Sequence, residues 1–154
     1  MIFVTVGTHH QPFTRLLDAL GTLDPRELVV QHGYAPAPEG VAEAAAFVPF
    51  SRMVEYFASA DAVVTHAGVG SILSALRAGH TPVVVPRREH LGEHVDDHQV
   101  ELVRALAGEG RVEPVWDVAE LPRAVASAKA RVPALASEAG SIHAAVRAAL
   151  LDAR

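Results

Sequence analysis

Short runs of β-branched and other apolar residues alternate along the chain with longer segments in which apolar residues recur at helical spacing. The best-defined short runs show little polar alternation, which is typical of parallel strands that are buried on both faces. These predicted strands are Ile2–Val6, Leu28–Gln31, Ala62–Thr65 and Pro82–Val85, with weaker candidates at Ala45–Val48 and Arg111–Val115.

The longer segments predict helices, and Pro133 marks a break between the last two. The predicted helices are Pro12–Leu20, Ser51–Ala58, Ile72–Ala78, Asp97–Leu106, Leu121–Ala130 and Ala134–Leu151. Repeated alternation of strand and helix indicates an α/β fold: one Rossmann-like domain over residues 1–154, with an open, mostly parallel sheet of about six strands covered by helices on both faces.

Composition agrees with one globular domain and excludes several functions. The chain has 154 residues, of which 50% are hydrophobic, and its net charge is −5. Because it contains no cysteine, it has no Cys nucleophile and no thiolate metal site. The acidic balance argues against sequence-independent nucleic-acid binding. No charged leader precedes the first apolar run, and no run approaches the ~18–20 residues that span a bilayer, so we expect a soluble protein.

The strongest local signal is the turn from Thr65 to Ser71, which follows a predicted strand and opens a predicted helix. Gly68 and Gly70 allow close approach of the backbone, and the helix start offers unpaired N–H groups and the positive end of the helix dipole. Such a turn can hold a phosphate. The alternative is a tight turn whose glycines serve only packing.

A second turn, Gly7–His10, follows the first strand at the same edge of the sheet. Gly7 and Thr8 are placed to approach a ligand from the other side of the same crevice, although Thr8 is equally suited to cap a helix. If the crevice is catalytic, His9 or His10 is the local candidate for a general base.

Histidines recur every fourth residue at His90, His94 and His98. On one helix they would form a metal-binding face, which is the basis for an alternative function as a metal-dependent hydrolase. Gly92 interrupts that helix, so we favour a polar loop facing a ligand, with an ordinary solvated loop as the other alternative, and we predict no metal site. The only lysine, Lys129, lies in a late helix, so there is no phosphate-loop lysine.

As an ordered set, these segments resemble the C-terminal, donor-binding domain of glycosyltransferase family 28, one half of the two-domain GT-B architecture. The similarity is greatest to single-domain subunits of split bacterial exopolysaccharide and capsule glycosyltransferases and of the dolichol-pathway N-acetylglucosaminyltransferase. The matching segments are Met1–Phe13, Thr65–Ile72, Gly79–Arg87 and Glu93–Leu102.

The resemblance implies a role for each matching position. It implies diphosphate binding by Thr8, His66, Gly68, Gly70 and Ser71, nucleoside binding by Phe50 and Ser74, and sugar binding by Asp97, His98 and Gln99. One position departs from the family pattern. Many relatives have a glutamate that bonds both ribose hydroxyls where this chain has Ser74, and a serine is too short to replace that contact directly.

The function implied is that of the donor-binding catalytic subunit of a split, inverting glycosyltransferase. It would move a sugar from a UDP-sugar to a lipid-linked acceptor in polysaccharide or glycan biosynthesis, without a metal or another cofactor. A membrane-anchored partner subunit would bind the acceptor and hold this chain at the cytoplasmic face of the membrane. The general base would be either His9 or His10 of this chain or a residue of that partner. The alternatives are a non-catalytic nucleotide-binding or scaffold subunit, and a homo-oligomer in which a second copy forms the other half.

Overall fold

Strands and helices alternate in a computed structural model of the chain, which describes residues 1–131, 144, 146–148, 150 and 151. The strands are β1 (Ile2–Thr5), β2 (Leu28–Gln31), β3 (Glu43–Ala45), β4 (Ala62–His66), β5 (Val83–Val85) and β6 (Glu113–Pro114). The helices are α1 (Thr14–Ala19), α2 (Phe50–Ser59), α3 (Val69–Arg77), α4 (His98–Gly108) and α5 (Leu121–Ala130). Short 3₁₀ turns lie at Leu20–Thr22, Pro25–Glu27, Glu89–Leu91 and Val118–Glu120.

The sheet has the strand order β3-β2-β1-β4-β5-β6, and every neighbouring pair is parallel. The central strand β1 pairs on both sides, with Ile2 opposite Leu28 of β2 and Ala62 of β4. The order of the strands reverses between β1 and β4, so the loops that follow these two strands separate and leave a crevice at their carboxyl ends. The predicted Rossmann-like α/β fold is confirmed.

Burial of the sheet on both faces explains why the strands have continuous apolar runs. Ile2 and Val4 of β1 belong to one core cluster with α1 and α5. Phe3, between them, faces the opposite layer, where its ring centroid lies 5.0 Å from that of Tyr56 and 5.2 Å from that of Phe57 of α2. Each residue of the strand therefore removes apolar area from water, whichever face it occupies.

Two predicted strands differ from the structure. The third strand is Glu43–Ala45 rather than Ala45–Val48, because pairing with β2 selects the residues opposite Val29–Gln31, and Val48 already adjoins Pro49, the N-cap of α2. The last strand is limited to Glu113–Pro114, where Pro114 is tolerated at the edge of the sheet.

The predicted closing helix Ala134–Leu151 lies mostly outside the described residues. Residues 144, 146–148, 150 and 151 within it are helical, and Val146 is buried in a cluster with Leu102 of α4. Among the helices that the structure describes, none is both long enough and apolar enough to cross a membrane.

Candidate functional site

A cavity of about 670 Å³ opens at the carboxyl ends of β1 and β4, where the strand order reverses. Its wall is formed by Thr5, Gly7, Thr8, His9, Gln31, Phe47, Val48, Phe50, Met53, Phe57, His66, Gly68, Gly70, Ser71, Leu73, Ser74, Arg77, His94 and Gln99. Within the described part of the chain, this wall includes histidines and an arginine but no Asp or Glu. The cavity is therefore suited to an anion.

The start of α3 forms one side of the cavity. Gly68 is the N-cap, and no side chain caps the helix there; the first hydrogen bond closes from the N–H of Ile72 to the carbonyl of Gly68. The N–H groups of the first turn have no partner within the helix, and they meet the cavity at the positive end of the helix dipole. Gly70 and Ser71 both line the cavity there.

The His66 side chain lies at the end of β4, between the backbones of Gly7 and Gly68. A Cβ atom on Gly7 would clash with Nε2 of His66, and one on Gly68 would clash with Cε1. Gly7 also has a φ of +76°, which favours glycine for a second reason. Both glycines are therefore required so that the imidazole can pack between the two turns.

His66 is neutral at ordinary pH. Burial lowers the pKa of His66 to about 3, and the nearby charges of Arg87, His94 and His9 lower it further. Its Nδ1 lies 3.4 Å from Nε2 of Gln99. Because an amide nitrogen only donates, Nδ1 is the acceptor and the proton of the neutral ring is on Nε2.

Gln99 is buried at the start of α4 and joins the turns that follow β4 and β5. Its Oε1 accepts the N–H of Ala67 at 3.2 Å and the N–H of Arg87 at 3.0 Å. These two bonds fix the amide so that its NH₂ group faces His66. Gln99 lines the cavity, but its side-chain oxygen and nitrogen are already hydrogen-bonded to other residues of the chain.

Arg87 is a fully buried cation behind the cavity. It donates to the carbonyl oxygens of Val6 at 2.8 Å, Gln11 at 2.7 Å and Glu93 at 3.0 Å. Burial lowers the pKa of Arg87 to about 10, so it stays charged at neutral pH. Because its partners lie after β1 and after β5, Arg87 ties together two loops that border the site.

Histidines from these two loops stack on each other. The rings of His9 and His94 are 4.7 Å apart at 23°, and the ring of His10 lies 4.6 Å from that of His9, tilted by 39°. Nε2 of His9 lies 2.7 Å from Oε1 of Gln11. Nδ1 of His94 lies 3.3 Å from Oδ1 of Asp96, which is an ion-pair distance without hydrogen-bond alignment.

The opposite end of the cavity is apolar. Phe50, at the start of α2, is 77% exposed, and the rings of Phe47 and Tyr34 pack edge to face at 5.2 Å.

Two polar residues of α3 also line the cavity. The hydroxyl of Ser74 donates to the carbonyl of Gly70 at 2.9 Å, so it is bonded within its own helix. Arg77 lies one turn further along the same helix and also lines the cavity.

Most of the residues singled out from the sequence meet in this cavity. The structure brings together Thr8, His9, Phe50, His66, Gly68, Gly70, Ser71, Ser74 and Gln99. It does not place His10, Asp97 or His98 in the wall. Asp97 instead accepts the N–H of Glu89 at 3.0 Å, and His98 begins α4 with its N–H bonded to Asp96.

The histidine repeat does not form the shared helical face that a metal site would need. His90 lies in a 3₁₀ turn that ends at Gly92, and α4 begins only at His98. In the part of the chain that the structure describes, no three His, Asp or Glu side chains are grouped so as to hold a metal ion.

Sequence reasoning missed several residues of the site. Gln31 ends β2 and binds the turn after β1: its Oε1 accepts the N–H of Gly7 and the hydroxyl of Thr5, and its Nε2 donates to the carbonyl of Gly7. Gln31 could have been found from its position, because it is a polar residue at the end of an otherwise apolar strand. Arg77 could have been found as the residue one turn after Ser74, whereas nothing local marks the role of Arg87. His94 was not missed in the same way, because it belongs to the polar loop that was expected to face a ligand, and it lines the cavity.

Comparison with known proteins identifies a family. The model of the glycosyltransferase family 28 C-terminal domain matches residues 1–149. The UDP-N-acetylglucosamine transferase subunit ALG13 of Yarrowia lipolytica is 37% identical over 68 residues, which cover 44% of this chain and 33% of ALG13. The match therefore spans about a third of that curated relative.

Two solved structures share the fold. The glycotransferase of kitacinnamycin has a TM-score of 0.59 at 21% identity, and the match covers 96% of this chain and 39% of the other. The glycosyltransferase SnogD from Streptomyces nogalater has a TM-score of 0.54 at 20% identity, with 99% and 41% covered. The chain thus corresponds to about two fifths of each of these proteins.

Proposed function

Because the chain belongs to the glycosyltransferase family 28 C-terminal domain family, we propose that it is the donor-binding catalytic half of a UDP-sugar-dependent glycosyltransferase. The observation that carries the proposal is the start of α3, where Gly70 and Ser71 line a cavity whose described wall residues include no carboxylate. The donor class is supported by ALG13, whose name gives it as a UDP-N-acetylglucosamine transferase subunit.

In this proposal the diphosphate of the donor lies against the turn from His66 to Ser71. The backbone N–H groups of the first turn of α3 and the Ser71 hydroxyl donate to its oxygens, and Thr8 contacts it from the opposite turn. The neutral His66 adds an N–H from Nε2, since Gln99 occupies Nδ1. Phe50 and Ser74 border the nucleoside at the apolar end.

The proposed reaction is a direct displacement at the anomeric carbon. The bond between that carbon and the diphosphate oxygen breaks, and its electron pair leaves with the diphosphate. The acceptor oxygen forms the new bond and loses its proton to a general base. His9 is the proposed base on this chain, because it lines the cavity while His10 does not. Charge on the leaving group is stabilised by the helix start, without a metal ion.

The transferred sugar is proposed to lie at the mouth of the cavity. Asp97 and His98, at the start of α4, are its proposed contacts, and both lie outside the cavity wall that the nucleotide would occupy. Carboxylate and imidazole groups both bond sugar hydroxyls. Gln99 then acts as a positioning residue, because its amide is bonded to Ala67, Arg87 and His66.

The acceptor half is proposed to be a separate, membrane-anchored polypeptide that presents a lipid-linked acceptor at the cytoplasmic face. ALG13 is by name a subunit, which supports a separate partner. The two structural neighbours are about two and a half times as long as the region they share with this chain, which supports a second half in the complete enzyme. A second half would also exclude water from the anomeric carbon.

A donor panel followed by reconstitution tests the proposal. UDP and UDP-sugars should raise the melting temperature of the chain more than GDP-sugars or dTDP-sugars do. Co-expression with a membrane-anchored subunit that binds the acceptor should bring the chain to membranes and produce transfer to the lipid acceptor. Robust transfer by the purified monomer would contradict the need for a partner subunit. A melting temperature that no nucleoside diphosphate or its sugar raises would contradict donor binding.

A second candidate is a nucleotide-binding subunit that does not catalyse transfer. It is favoured by Ser74, whose hydroxyl is bonded to Gly70 and offers no carboxylate to ribose. The reconstituted complex separates the two functions, because His9→Gln should reduce transfer strongly if this chain supplies the base and should leave transfer unchanged if it is a scaffold.

A further inference from the structure

We propose that binding of the donor diphosphate places one proton on the His9–His94 stack, and that His94 carries this proton and contacts the diphosphate. The inference rests on the proposed function and assigns a residue that the family resemblance leaves without a role. His94 lines the same cavity as the start of α3. Both His94 and His9 are close enough to His66 to lower its pKa, and the His66 ring is packed against Gly68 at that helix start.

The two stacked rings have different partners, and these separate their roles. Nε2 of His9 faces the amide oxygen of Gln11 at 2.7 Å; since that oxygen only accepts, the proton of a neutral His9 is on Nε2 and its Nδ1 has a free lone pair. His94 instead has Asp96 beside its Nδ1 at 3.3 Å. An imidazolium at His94 would therefore have an anionic neighbour that His9 lacks.

Asp96 is ionised and can perform this role. The N–H of His98 donates to Oδ1 of Asp96 at 3.0 Å, and this bond, more than the nearby His94 and His98 side chains, lowers the pKa of Asp96. With Nδ1 of His94 buried beside Asp96, its Nε2 is the nitrogen left for a ligand in the cavity.

Only one proton is expected on the pair. Two positive charges on rings 4.7 Å apart repel each other strongly in a partly buried site, so protonation of His94 keeps His9 neutral and able to act as a base. The other titratable or charged groups around the pair are His10 on the β1–α1 loop, His66 on β4, and Arg87, Glu93 and Asp96 on the β5–α4 loop. Glu93 is already paired with Arg15 at 2.9 Å.

The pH dependence of donor binding tests this assignment. The probe is the methyl ester of UDP, whose two phosphate groups keep one charge each over the tested range. Calorimetric titration of the wild-type chain should give affinity about tenfold tighter at about pH 6 than at about pH 8. Titrations in buffers of different ionisation enthalpy should show proton uptake. His66 does not contribute, because its pKa of about 3 lies below this range.

Variants assign the proton to one residue. His94→Gln and His94→Asn should both abolish the tenfold difference, whereas His9→Gln should retain it. His90→Gln, an exposed histidine on the same loop, is the matched control and should retain it too. Ser71→Ala should weaken binding equally at both pH values.

The remaining outcomes contradict either the role of His94 or the proposed function. A wild-type affinity that does not change with pH, or a pH dependence that survives in both His94 variants, overturns the role of His94 alone. A dependence lost in His9→Gln and kept in His94→Gln would transfer the proton to His9 and also overturns it. No binding by the wild-type chain at either pH overturns the proposed function, and this inference with it.

Discussion

Gln99 donates its side-chain amide to Nδ1 of His66 at 3.4 Å, while its amide oxygen accepts the N–H groups of Ala67 and Arg87. One buried side chain therefore fixes the tautomer of His66 and joins the turn after β4 to the loop after β5. Preorganised donors at a site of developing charge need no rearrangement when the reaction occurs. The position of Gln99 thus links the packing of the loops to the proposed chemistry.

Gln99→Ala should destabilise the protein as well as the site. It leaves the N–H groups of Ala67 and Arg87 without their acceptor, at a cost of about 1–3 kcal/mol for each buried group. Urea denaturation measures this loss. Gln11→Ala, which removes a single partly buried bond to His9, should cost clearly less. A Gln99→Ala protein as stable as Gln11→Ala would show that the amide does not hold the two loops.

Gly68→Ala should be destabilising only because of His66. The φ of Gly68 is −76°, which alanine adopts without strain, but the added Cβ would meet the imidazole. We expect a cost of about 1–3 kcal/mol in the wild-type background and a much smaller one in His66→Ala. Gly7→Ala is the control, since its φ of +76° keeps it costly in both backgrounds. Equal costs of Gly68→Ala in both would contradict the packing described.

Acid should destabilise the protein through His66. The pKa of His66 is about 3 in the folded chain and near 6.5 when unfolded, so the unfolded state binds more protons between these values. The contribution of neutral His66 to the free energy of unfolding is therefore fully present above about pH 6.5. It falls on acidification towards pH 3, by at most about 1.4 kcal/mol per pH unit. Denaturation of wild type and His66→Asn at several pH values measures the difference. Parallel curves for the two proteins would contradict a buried, neutral His66.

Much of the fold could be predicted because its signals are local. β1, β2, β4 and β5 are buried on both faces, and such strands are visible as apolar runs. β3 was misplaced because its residues, Glu43–Ala45, have no β-branched member and form a strand only by pairing with β2. Edge strands depend on the neighbouring strand more than on their own side chains.

The site likewise contains residues that local sequence signals predict and residues that they do not. The turn from Thr65 to Ser71 is marked by glycines between a strand and a helix, so its place in the cavity could be predicted. Arg87 could not, because its acceptors include the carbonyl of Val6, which is 81 residues away in the chain. Asp97 and His98 lie outside the described cavity wall, where α4 begins and bonds to the preceding loop. Their expected contact with the sugar stays a prediction.

Ser74→Glu should tighten the binding of UDP selectively. A carboxylate at this position of α3 would face the cavity that Ser74 lines and accept from ribose hydroxyls, adding about 1.5 kcal/mol, or about tenfold in affinity. Titration with UDP and with 2′-deoxy-UDP measures it, and the deoxy compound should gain clearly less. Unchanged or weaker UDP binding, with the fold intact, would show that the pocket has been rebuilt around serine.

The central claim is that the start of α3 binds the donor diphosphate, and calorimetric titration of UDP into wild-type chain and Ser71→Ala tests it most directly. We expect saturable binding by the wild type that EDTA leaves unchanged, and a loss of about 1.5–3 kcal/mol in Ser71→Ala, which removes one hydrogen bond to a charged group. Equal affinity of the two proteins for UDP, or wild-type binding that EDTA abolishes, would contradict the claim.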